Sequence, residues 1–228
     1  MSDHTLCSIT LACALLTAAI APAHAADSTC AAVTPALEAG LAQARIHATI
    51  DTPLDLEAAK MGFKHTLMHS IVIDQVQYSN ATRASFSRTP LESKEMRMLA
   101  TDLGPFMVEQ GCRPAGSEKV AGRDALVFTA QGDLGRGEIR FKLWIDRASG
   151  LPLRALSDEP DADMDDLFNT LDKKKGRPAV QAKEKPKGKR IVATHAYLFG
   201  PAVKPPGPQG TLDPAALAML QAVLKGSP

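Results

Sequence analysis

The chain has 228 residues, with 26 Lys and Arg against 25 Asp and Glu, a formal net charge of +1 and 45% hydrophobic residues. This near-neutral balance gives no global electrostatic argument for nucleic-acid binding, and one tryptophan among few aromatic residues leaves little surface for stacking bases. A chain of this length can bury one core, so we expect a single folded domain.

The first segment is typical of an exported protein. Residues 6–25 form an uncharged apolar run that ends in the small-residue pattern Ala23-His24-Ala25. This resembles a secretory signal peptide, residues 1–25, although the segment before the run lacks the usual Lys or Arg. A transmembrane anchor is the alternative, which the short run and Pro22 disfavour. We therefore expect a periplasmic protein that begins at residue 26.

Two cysteines lie beyond that segment, Cys30 and Cys112. In an oxidising compartment an even pair indicates one disulfide, and two free thiols are the alternative. Closing a loop of this length would stabilise the fold by about 4 kcal/mol in the chain-entropy model.

The first half of the chain predicts two helices around strands. The apolar spacing and early proline of Val33–Ala42 favour an N-terminal helix, and Leu91–Leu103, bounded by Pro90 and Gly104, favours a middle helix. Between them, alternation predicts strands at Arg45–Ile50 and within Met61–Tyr78.

The stretch from Cys112 to Arg154 predicts consecutive antiparallel strands. Four apolar residues in it alternate with mostly polar ones, the period of a half-buried strand: Ile139, Phe141, Leu143 and Ile145. We expect strands near 116–120, 124–130, 136–146 and 151–156, joined by glycine-containing turns. The last of these turns runs from Asp146 to Pro152.

The composition changes abruptly after that meander. Residues 158–190 are acidic and then basic with few apolar side chains, which predicts an exposed, mobile insertion within the 26–200 domain. A strand is expected at Ile191–Phe199. Residues 201–228 read as a Pro-rich linker and a C-terminal helix at Pro214–Leu224, with Asp213 as its N-cap.

Two patterns raise the question of a metal. His65 and His69 have the spacing of a helical chelate, but four residues of strand span about 13 Å, too far for one ion. Nearby methionines would suit copper, although adaptable core packing explains them better: Met61, Met68, Met96 and Met98. The run 161–166 resembles the start of a calcium loop, but Asp166 stands where that loop needs glycine. We expect no metal or cofactor, with copper binding as a minor alternative.

No nucleophile or general base stands out either. The chain has no Gly-x-Ser-x-Gly turn, and its cysteines are expected to be paired, so an enzyme is not predicted. The basic segment Lys173–Arg190 could contact an anionic membrane surface peripherally, but it lacks the interleaved aromatics of a nucleic-acid site.

The element order and three short motifs resemble the outer-membrane lipoprotein carrier superfamily. The motifs are Gly116–Arg123, Trp144–Asp146 and Ser149–Arg154, and the resemblance covers about residues 30–157 and 190–199. It implies an α+β fold in which an incomplete antiparallel β-barrel, a curved sheet, packs over the N-terminal and middle helices. It also implies an apolar concavity that holds acyl chains.

The leading hypothesis is therefore a periplasmic binding protein for a lipid or a lipoprotein acyl chain, acting without covalent chemistry. Eight residues are expected to share the face that contacts the ligand: Phe63, Leu67, Ile71, Ile139, Phe141, Leu143, Tyr197 and Phe199. Ordinary core packing of these residues is the alternative. The rival function is an envelope interaction or sensing protein that binds a partner through the charged insertion and the C-terminal helix.

Overall fold

The computed structural model describes residues 29–53, 65–80, 86–91, 107–133, 137–160 and 190–226. The expected signal peptide, nearly all of the middle helix, Phe63 and most of the charged insertion lie outside these ranges.

Nine strands and two helices make up the described fold. Helix α1 is Val33–Leu41 and helix α2 is Pro214–Lys225, and residues 107–109 form a further helical turn. The strands, in chain order, are β1 Arg45–Pro53, β2 His65–Ile73, β3 Val76–Asn80, β4 Ser87–Pro90, β5 Arg113–Val120, β6 Arg123–Asp133, β7 Glu138–Asp146, β8 Pro152–Pro160 and β9 Arg190–Phe199. Each predicted strand is present, and β4 was not expected.

The strands form one antiparallel sheet in the order β4-β3-β2-β1-β9-β8-β7-β6-β5. Strands β4 and β5 stand at opposite ends and do not pair, so the curved sheet stays open. The predicted α+β architecture with an incomplete barrel is confirmed.

Each side of the sheet has its own apolar cluster. Side chains of alternate residues point to the side that carries α1, here called the α1 face, where they pack with Val33, Ala36 and Leu37 of that helix. The opposite side, the α2 face, packs Trp144 and its neighbours against Leu220 and Val223 of helix α2. Both faces are therefore partly covered by helix.

A disulfide and a capped turn hold the meander in place. Cys30 is bonded to Cys112 across 82 residues of sequence, which ties the entry of α1 to the start of β5, as predicted. At the β7–β8 turn, the buried Asp146 carboxylate accepts hydrogen bonds from Ser149 N at 2.9 Å and Arg123 Nη2 at 2.6 Å. Burial alone would raise the pKa of Asp146, but these hydrogen bonds outweigh it and the pKa is lowered.

Helix α2 begins at the residue that the sequence indicates. Asp213 Oδ1 accepts hydrogen bonds from Ala215 N at 3.1 Å and Ala216 N at 3.0 Å. The same carboxylate pairs with Lys204 of the linker at 2.7 Å. The N-cap prediction is confirmed, and the cap fixes the direction in which the helix leaves the linker.

Candidate functional site

The strand register places most of the expected ligand-contacting residues on the α1 face. Phe141 pairs with Ala130, and Leu143 pairs with Phe128 and Ala155. Tyr197 pairs with Ala48 of β1. Five of the eight residues therefore share one face: Ile139, Phe141, Leu143, Tyr197 and Phe199.

Leu67 and Ile71 lie on the other face, so the expectation of one shared face is wrong for them. Ile71 pairs with His47, which pairs in turn with Leu198, a neighbour of Tyr197 that points the opposite way. Strand β2 is apolar on both sides, since Met68 and Val72 alternate with Leu67 and Ile71. The sequence pattern of β2 therefore could not predict which of these two sets of side chains would lie on the α1 face.

The side chains of the α1 face are buried where α1 covers them. Leu143 is fully buried and Tyr197 is 3% exposed. Along β9, the rings of His195, Tyr197 and Phe199 stand in a row with centroids 6.4 Å apart. Burial lowers the pKa of His195 to about 4 and raises that of Tyr197, so this row is uncharged at neutral pH.

This apolar cluster reaches a cavity of about 550 Å3 at one end of the sheet, here called the sheet-end cavity. Ala130 and Phe141, which belong to the cluster or pack against it, line the cavity. The remaining lining residues are mostly polar or cationic: Gln110, Gly111, Arg113, Thr129, Gln131, Arg140, Lys142, Leu156 and Asp158. A volume of this size is typical of small-molecule sites.

The end of one strand explains why both faces contribute to the cavity. Strand β5 begins at Arg113, opposite Thr129, whereas β6 continues to Asp133. Within the described ranges, β6 beyond Thr129 therefore has no strand on its outer side. The Gln110 side chain lies against Gly132 so closely that a Cβ there would overlap it. A side chain at position 132 would therefore require the Gln110 side chain to move.

The cations of the cavity differ in how they are compensated. Arg140 pairs with Glu138 at 2.5 Å, and Lys142 pairs with Glu118 at 2.6 Å. Asp158 is held by Arg190 of β9 at 2.5 Å. Arg113 is exposed and, among the described residues, forms no ion pair. The lining therefore favours an anionic over a cationic ligand.

A second polar cluster, on the α2 face, was missed by the sequence reading. His47 Nε2 lies 3.1 Å from His69 Nδ1, and Thr49 Oγ1 lies 3.0 Å from the same nitrogen. These residues are 22 and 20 positions apart in sequence, and the pairing of β1 with β2 brings them together. Burial, with a contribution from His69, lowers the pKa of His47 to about 3.

The described residues contain no group of three or more His, Cys, Asp or Glu side chains that could hold a metal. Met68 pairs with Ile50 and so points away from His47 and His69, to the α1 face. The other methionines of the copper alternative, Met61, Met96 and Met98, lie outside the described residues.

No protein-family model and no curated protein matches the chain. Solved structures that are similar to it include the following three. LprF from Mycobacterium bovis is 12% identical with a TM-score of 0.41, over 78% of this chain and 96% of that one. The Mycobacterium tuberculosis lipoprotein LppX is 10% identical with a TM-score of 0.36, over 74% and 92%. MucB, solved in complex with MucA(peri), is 13% identical with a TM-score of 0.37, over 81% and 62%.

Within the ranges that the structure describes, no helix is long and apolar enough to cross a membrane.

Proposed function

We propose that this chain is a periplasmic binding protein that holds the acyl chain of a lipid or lipoprotein at the sheet-end cavity, without covalent chemistry. The observation that carries the proposal is the junction at Ala130 and Phe141, where the apolar cluster of the α1 face opens into the cavity. An acyl chain gains free energy by burying its methylene groups against such a surface.

The surroundings of this junction suit an amphiphile better than a wholly apolar ligand. Phe141 remains only partly buried, so apolar surface is accessible there. Leu156 adds a second apolar contact within a lining that is otherwise mostly polar. A ligand with one apolar end and one polar end matches both parts.

Binding of a fluorescent fatty acid, together with native mass spectrometry of protein purified from the periplasm, tests the proposal. Gln131→Trp places a large ring into the cavity from an exposed position and is expected to weaken binding about tenfold. Ala222→Trp, at an exposed position of α2 that does not line the cavity, is the matched control and should bind as the wild type does.

Failure of the wild type to carry lipid or to take up the fatty acid refutes the proposal. Equal weakening by both tryptophan variants refutes the assignment to this cavity. Melting temperatures near that of the wild type show that each variant remains folded.

A protein partner is the second candidate function. Leu67 and Val192 are 37% and 41% exposed, and the register puts both on the α2 face. Helix α2 offers a partner less apolar surface than the sequence suggested, because its Ala216, Leu220 and Val223 are buried within the chain. A partner would therefore contact the uncovered part of this face.

A deletion can separate the two functions. Removing residues 161–189 spares β8 and β9, because Pro160 pairs with Arg190 and an Asn-Gly turn can join them. Loss of partner capture with intact fatty-acid uptake supports the protein-binding role of the charged insertion. Loss of uptake in a folded variant would contradict the placement of the lipid at the sheet-end cavity, because no residue of its lining lies within 161–189.

A further inference from the structure

We infer that the ligand carries an anionic phosphate headgroup, held at the sheet-end cavity by Arg113 together with Lys142 and Thr129. The inference rests on the proposed function and names the chemical class of its ligand. It follows from the position of these side chains across neighbouring strands.

The three side chains form one row across the sheet. Arg113 of β5 pairs with Thr129 of β6, and Thr129 pairs with Lys142 of β7. Paired residues in an antiparallel sheet point to the same face, and adjacent strands are about 4.8 Å apart. The Thr129 hydroxyl, which donates to Arg113 O at 3.4 Å, therefore stands between two cations that are two strands apart. The long side chains of Arg113 and Lys142 can converge from this spacing on the oxygens of one phosphate.

The row continues into an apolar residue. Lys142 pairs with Leu156 of β8, which also lines the cavity. Donors at one end and an aliphatic side chain at the other reproduce the order of an amphiphile, with its headgroup toward β5 and its chain toward Leu156. A free inorganic anion would use only the first half of this row.

Arg113 is the cation best placed to be the primary anion contact. It follows Cys112 directly, so the disulfide to Cys30 anchors its backbone. Its guanidinium offers parallel N–H donors that match two oxygens of a phosphate. The described residues give it no carboxylate partner, so an incoming anion displaces nothing to reach it.

The ammonium group of Lys142 lies above the ring of Trp144. Its Nζ lies 4.6 Å from the centre of the Trp144 ring and 2.6 Å from Glu118 Oε1. Glu118 is 45% exposed, and exposed ion pairs of this kind are weak. Lys142 can therefore turn from Glu118 to a phosphate. Asp158, the one carboxylate of the lining, is neutralised by Arg190.

The test compares four probes at low salt. Dioctanoyl phosphatidylglycerol has the chain and an anionic headgroup, dioctanoyl phosphatidylcholine has the same chains with a zwitterionic one, monoolein has a chain without phosphate, and glycerol phosphate has no chain. The wild type is expected to bind phosphatidylglycerol about tenfold more tightly than phosphatidylcholine, and glycerol phosphate only weakly.

Arg113→Gln is expected to abolish the preference for phosphatidylglycerol over phosphatidylcholine, and to weaken the binding of phosphatidylglycerol more than that of monoolein, which has no phosphate. Lys119→Gln is the matched control, because it removes the same charge from an exposed position of the same strand that does not line the cavity. It should keep the preference.

Three results overturn the inference: a preference that survives in Arg113→Gln, an equal loss in Lys119→Gln, or glycerol phosphate binding as tightly as phosphatidylglycerol. The last result identifies a site for free phosphate esters. Failure of the proposed function gives a different pattern, because monoolein would then not bind to the wild type.

Discussion

Replacing His47 by glutamine is expected to remove a large part of the acid sensitivity of this fold. His47 is 1% exposed, and its Nε2 lies 3.1 Å from His69 Nδ1. The amide of glutamine can reach the position of Nε2 and form a hydrogen bond there, but it cannot be protonated at mild pH. The variant therefore separates the titration of His47 from its packing.

The magnitude follows from the lowered pKa. His47 has a pKa of about 3 in the folded protein, against 6.5 for an exposed histidine side chain. Because the folded pKa is depressed, the unfolded chain takes up the proton first. Stability is then complete above about pH 6.5 and is lost as the pH falls towards 3. Between pH 7 and pH 5 this group alone removes about 2 kcal/mol from the free energy of unfolding.

Urea denaturation at pH 7, 6 and 5 measures this loss, with the fluorescence of Trp144 as the probe. His47→Gln is expected to be about 1 kcal/mol less stable than the wild type at pH 7. Its further loss between pH 7 and pH 5 should be about 2 kcal/mol smaller than that of the wild type. The buried His69 and His195 titrate in both proteins, so the difference isolates His47.

Met219→Gln, at a 40% exposed position of α2, is the control and should follow the wild type at each pH. The reasoning is refuted if His47→Gln and the wild type lose the same free energy between pH 7 and pH 5. In that case burial of His47 would not be what lowers its pKa and keeps it uncharged.

Two further predictions concern the supports of the sheet. Cys30→Ser with Cys112→Ser is expected to lower the free energy of unfolding by about 4 kcal/mol, which urea denaturation of the oxidised wild type and the variant measures; equal midpoints would contradict it. Leu220→Ala, at a 1% exposed position, should cost about 3 kcal/mol and shift the emission of Trp144 to longer wavelength as α2 loosens. Met219→Ala serves as its control, and an unchanged emission in Leu220→Ala would show that α2 does not shield Trp144.

Much of the fold could be predicted because its signals are local. The alternation of Ile139, Phe141, Leu143 and Ile145 reports one buried strand face without reference to the rest of the chain, and all four lie on the α1 face. The Asp213-Pro214 pair marks a helix start for reasons confined to one turn. Strand β4 was missed because Ser87–Pro90 is polar and exposed throughout, so it has no apolar period to detect.

The candidate site could be predicted only in part. Phe141 was identified as a ligand contact and does line the sheet-end cavity. Arg113 was not identified, because nothing in its own segment shows that it pairs with Thr129. That pairing places Arg113 where β6 continues past the end of β5. The His47–His69 contact could not be predicted for a similar reason. Sequence spacing relates His69 to His65 on its own strand, whereas only the pairing of β1 with β2 brings it to His47.

The sequence by itself determined most of the strands, the antiparallel order of the meander, the disulfide and the apolar side of β7, because these depend on residue spacing and on two cysteines that had no other partner. The tertiary structure alone decided which sides of different strands coincide. Registers fix that choice, and a shift of one residue would move Ile71 from the α2 face to the α1 face. It also decided the cavity, whose lining comes from four separate parts of the chain that meet only where β5 stops short of β6.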